Sequence, residues 1–74
     1  MKPSDISVGK TYRNKGAGRT TRRVVDMGTH LPPPHWLSSN PRPDESVVEF
    51  AQGNATHRLY LSSFAAWAGS EVVA

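Results

Sequence analysis

Cysteine is absent from the 74 residues, which excludes disulfide staples, thiolate zinc sites and cysteine nucleophiles together. Long apolar runs are absent as well. The longest are a few residues, against the roughly 20 a membrane span needs, and the opening Met1-Lys2-Pro3-Ser4-Asp5 lacks the hydrophobic stretch of a secretory signal. Aromatic residues make up only 8% and apolar residues 36%. A chain this short buries about 60% of its unfolded surface, leaving little core to spare for a deep cleft. The expectation is a single soluble domain over residues 1–74, cytoplasmic and without a membrane partner.

Acidic residues are scarce at one end. Residues 1–23 carry seven Lys and Arg against Asp5 alone, a balance of +6, whereas residues 24–74 carry Arg42 and Arg58 against five acids, a balance of −3. The sum is the formal net charge of +3. Such asymmetry marks either a surface facing phosphate or an acidic partner, or a solvated basic hairpin that keeps a small protein soluble.

The pattern of residues divides the chain into short segments. Ile6 to Lys15 reads as a first strand, with a turn at Gly9, and Asn14-Lys15-Gly16-Ala17-Gly18 as the turn after it. Arg19 to Met27 is rich in β-branched residues and reads as a second strand. Alternation puts Thr21, Arg23, Val25 and Met27 on one face and Arg22, Val24 and Asp26 on the other; Val25 and Met27 are expected inward, though Val24 could also be covered. Residues 28–45 hold five of the six prolines and form a long connection. Ser46 to Gln52 is a third strand, Gly53-Asn54 a two-residue hairpin turn, and Ala55 to Leu61 a fourth strand with Arg58 and Tyr60 on its exposed side. At Leu61 the period changes. Leu61, Phe64 and Trp67 have helical spacing, Ser62 or Ser63 can cap the start, and Gly69 stands at the end. Residues 71–74 complete the set as a last strand.

This order is that of an all-β fold, a small SH3-like barrel of about five strands with one short helical turn near the C-terminus; an open α+β sheet is the alternative. The expected core is Val8, Tyr12, Val25, Met27, Val48, Phe50, Leu59, Leu61, Phe64 and Trp67.

Three stretches carry a resemblance: Val8-Gly9-Lys10-Thr11-Tyr12-Arg13-Asn14, Arg22-Arg23-Val24-Val25, and Leu61-Ser-Ser-Phe64-Ala-Ala-Trp67-Ala68. Together the chain resembles small uncharacterised proteins of bacteriophages and prophages with an SH3-like barrel. The resemblance skips the proline-rich loop. It implies a fold and a phage-like origin, hence the host cytoplasm as location, and it implies no activity.

Several chemistries are set aside. Gly9-Lys10-Thr11 matches the tail of a phosphate-binding loop, but Ser4 stands where the first glycine belongs and no helix is expected to follow. Gly16-Ala17-Gly18, between Lys15 and Arg19, could cradle a phosphate with backbone amides, and reads equally as a plain hairpin turn. His30, His35 and His57 lack the spacing of a zinc motif, so neither a metal nor any other cofactor is expected. Nothing places a nucleophile on a strained elbow, so the chain does not read as an enzyme and no small-molecule substrate is expected. Asn54-Ala55-Thr56 is a chance glycosylation sequon.

Two binding functions remain. In the first, Lys10, Arg13, Lys15, Arg19, Arg22 and Arg23 of the hairpin hold nucleic acid, with Tyr12 or Tyr60 to stack; Tyr12 is favoured as core and Tyr60 as exposed. In the second, the chain is an adaptor or inhibitor that binds an acidic host protein, with His35, Trp36 and Leu37 of the proline-rich loop as its anchor.

Overall fold

Five antiparallel strands and one short helix follow one another in the computed structural model, which describes residues 1–16, 20–34 and 44–72. They are β1 (Thr11–Asn14), β2 (Thr21–Gly28), β3 (Val47–Gln52), β4 (Ala55–Tyr60), α1 (Leu61–Trp67) and β5 (Ala68–Val72), preceded by a 3-10 turn at Pro3–Asp5. Hydrogen bonding orders the sheet β4-β3-β2-β1-β5. A four-strand meander is thus extended by a last strand that α1 carries back to the side of β1. That is the order of a small SH3-like barrel, all-β with a single short helix. No helix among the described residues is long and apolar enough to cross a membrane.

The first strand is shorter than the alternation suggests because Tyr12 gathers the preceding chain. Its buried ring carries a hydroxyl that donates to the Asp5 carbonyl (2.9 Å) and accepts from the Ser7 amide (2.8 Å). The chain then turns at Gly9, whose φ of +89° is left-handed and costs glycine little. Ile6 is thereby delivered into the core at 3% exposure, and Val8, expected inside, is left 53% exposed in the turn.

A bulge decides the inner face of β2. Val24 pairs with Phe50 and Asp26 with Glu49, so Val25 is an extra residue with no opposite number. Before the bulge Arg22 and Val24 face inward; after it Met27, paired with Val48, does so. Val25, expected inward with Met27, is therefore turned out and parted from it, while Val24 is buried and Met27 packs on the core.

The β3–β4 turn follows its dipeptide. Gly53 has φ +61° and Asn54 does not have a positive φ, the pattern of a II′ hairpin. Val48 and Phe50 enter the main core with Ile6, Tyr12, Val24, Phe64, Ala65 and Ala68, and Leu59, Leu61 and Trp67 pack against it half-buried. Tyr12, Phe50 and Trp67 each place a ring 5.3–5.7 Å from that of Phe64.

The opposite face of the sheet is covered at one end. Val47 and Tyr60 pair directly and are 3% and 2% exposed. The exposed position expected for Tyr60 is thus corrected, since its strand partner on that face is itself buried. Pro34, in the first arm of the proline-rich connection, is fully buried too, so this arm lies against the domain.

The start of α1 uses neither of its own serine side chains as cap. Tyr60 is the N-cap residue, and its side chain does not cap the helix. Instead Glu45, in the approach to β3, accepts from the Ser62 amide (2.9 Å) and hydroxyl (2.6 Å), and the Leu61 amide donates to the Ser46 carbonyl (2.9 Å). Amides that a helix start leaves without intrahelical partners are met from another segment. Gly69 is likewise not a left-handed helix stop but part of β5.

Candidate nucleic-acid interface and an arginine pocket behind it

Strand register sorts the basic residues. In the β1–β2 pair Thr11 lies opposite Arg23 and Arg13 opposite Thr21, so Arg13 and Arg23 are diagonal neighbours on one face. Diagonal positions in an antiparallel pair are about 7 Å apart, close enough for both cations to meet adjacent phosphates. Both are exposed, as is Lys15 at the end of β1. On the other flank Arg13 is opposite Ser70 and Thr11 opposite Val72 of β5. Arg13 and Arg23 thus share their face with Thr11, Thr21 and Ser70, short hydroxyl residues that add donors without adding negative charge. Two acids lie on the same outer face, Glu49 of β3, 3.5 Å from Arg58, and Asp26 of β2 opposite it, which meets His30 at 3.1 Å.

The other expected cations are placed differently. Lys10 is exposed but lies 3.3 Å from Glu71 of β5, which offsets its charge. Arg19 falls outside the described residues, as do His35, Trp36 and Leu37. Arg22 pairs with Tyr12 and so points to the inner face, away from Arg13 and Arg23. The hairpin therefore brings Arg13 and Arg23 together, leaves Lys15 exposed just past the end of β1, and separates Arg22 from them. Neither tyrosine stands ready to stack a base, since Tyr12 and Tyr60 are both buried.

Arg22 occupies an unusual place for a strand arginine. Its guanidinium lies over the rings of Phe50 (4.7 Å to the centroid) and Trp67 (4.2 Å), and its Nε donates to the Gln52 side-chain oxygen at 2.9 Å. Burial lowers its pKa from the usual value by withdrawing solvent from the charge. A cavity of about 300 Å³ opens beside it, lined by Arg22, Phe50, Gln52, His57, Arg58 and Leu59. Alternation in the sequence put Arg22 opposite Arg23, but the aromatic support beneath it comes from β3 and α1, so only folding reveals the pocket.

The histidines are scattered. His30 meets Asp26 at 3.1 Å beyond the bulge, and this hydrogen bond, with one from the Met27 amide, draws the Asp26 carboxyl below its usual value. His57 stands on β4 with its ring 5.9 Å from that of Phe50. Among the described residues no group of three or more His, Asp or Glu is arranged to hold a metal ion. No family model, curated protein or solved structure matches the chain.

Proposed function

We propose that this chain is a non-catalytic binding module, in keeping with a phage or prophage origin, that holds nucleic acid by its phosphate backbone. The observation that carries the reading is the pair Arg13 and Arg23, diagonal on one exposed face among hydroxyl residues, with Lys15 at its end. The face has cations at phosphate spacing and, with both tyrosines buried, no tyrosine ring for stacking. Recognition by such a surface is electrostatic and indifferent to base sequence.

Salt dependence tests this. Three phosphate contacts correspond to a slope of about −2.7 in log K against log salt on duplex DNA, from about −0.9 per contact. Fluorescence anisotropy with a labelled duplex should give that slope, and Arg13→Gln with Arg23→Gln should reduce it to about −0.9 with an unchanged melting temperature. Absence of binding to DNA and RNA at low salt would overturn the reading. Co-purification from host lysate that persists after nuclease treatment would instead favour an acidic protein as the partner of this face.

A further inference from the structure

We infer that the cavity on the inner face is a binding site for a small organic oxyanion, a carboxylate or phosphate carried on a flat apolar group. Its walls are chemically one-sided. The Arg22 guanidinium and the His57 imidazole line it, with the amide of Gln52, the apolar surfaces of Phe50 and Leu59 and a part of Arg58, and there is no carboxylate among the lining residues.

Arg22 is built for such a ligand. Two rings support its face, and the Gln52 side-chain oxygen accepts a hydrogen bond from its Nε–H, which fixes the guanidinium in one orientation. No described acidic side chain pairs with it, and its two terminal nitrogens meet no acceptor among the described residues. A half-buried guanidinium with a free, oriented fork matches the two oxygens of a carboxylate or phosphate. Because the Gln52 oxygen accepts from Arg22, its amide nitrogen remains a donor. Arg58 also borders the cavity, but its Nε is buried and its terminal nitrogen is engaged by Glu49, so Arg22 and Gln52 are the donors a ligand would meet. Phe50 and Leu59 provide the surface against which an apolar ring can lie. At about 300 Å³ the cavity is at the small end of ligand sites, enough for a substituted ring and not for a dinucleotide. The site lies on the opposite face from Arg13 and Arg23 and stands independently of the nucleic-acid reading. It also departs from the expectation that the chain takes no small molecule.

The test is a titration of the whole, isotope-labelled chain with benzoate and phenyl phosphate, followed by nuclear magnetic resonance. The Arg22 Nε–H, the Trp67 indole N–H and the amides of Phe50, Gln52 and Leu59 should shift together, with a dissociation constant of about 1 mM for so small a ligand. The stronger of the two binders identifies the oxyanion. Benzamide, which has the ring and no charge, should leave these signals in place. Equal shifts with benzamide and benzoate would overturn the inference, as would shifts confined to Arg13 and Arg23 or none at all. Arg22→Lys, which keeps the charge and loses the planar fork, should weaken benzoate binding by about tenfold. If that variant is unstable the wild-type titration decides alone, and His57→Ala, an exposed change, should weaken phenyl phosphate binding.

Discussion

At Gly69 a side chain has nowhere to go. A Cβ there would stand 2.8 Å from the Lys15 Cα and 3.1 Å from the Asn14 carbonyl oxygen, because β5 closes on β1 where their register shifts. These neighbours are backbone and cannot swing aside. Gly69→Ala is expected to lower stability by about 1–3 kcal/mol, the usual cost of overpacking, visible as a reduced melting temperature. An unchanged melting curve would show that the two strands are not in such close contact. A glycine after a helical pattern reads from sequence as a helix stop; its use as a spacer depends on a partner strand more than 50 residues away. Tyr12 is similar. Its burial follows from alternation, but the two hydrogen bonds of its hydroxyl, to Asp5 and Ser7, depend on the path of the chain before Gly9.

Each element carries a feature that its own residues do not specify. β2 alternates cleanly in sequence, yet the unpaired Val25 shifts its inner set from Arg22 and Val24 to Met27. Without that extra residue Asp26 would follow Val24 inward, and the sheet could not present Met27 to Val48. In α1 the helical spacing of Leu61, Phe64 and Trp67 is legible, whereas the carboxylate that meets its first turn is not, since Glu45 lies 17 residues before Ser62 in the chain and is brought alongside by the pairing of Val47 with Tyr60. Glu45→Ala should cost about 1 kcal/mol, in the range of lost helix caps. Glu45→Gln keeps an acceptor and should cost less. Chemical denaturation of the two variants distinguishes them, and equal, negligible losses would mean that Glu45 does not support the helix.

For the molecule as a whole, the rings of Tyr12, Phe50, Phe64 and Trp67 join the meander, the helix and β5 into one core. Phe64 lies at the centre with no exposed surface, so Phe64→Ala should cost about 3–5 kcal/mol, a large share of a small domain's stability. Trp67 is half-buried with Arg22 over its ring, so Trp67→Ala should cost less and should also release the guanidinium. A Trp67→Ala protein with unchanged melting would remove it from the core altogether. The succession of strands along the chain, the two-residue turn at Gly53-Asn54, the helix at Leu61 and the central aromatics are legible in the sequence, because these rest on local periodicity and turn chemistry between near neighbours. Alternation alone parts Arg22 from Arg23, but which of the two faces is covered follows only from the fold. β3 and α1 bring Phe50 and Trp67 against Arg22, while the face of Arg13 and Arg23 is left to solvent, because those contacts join residues far apart in the chain.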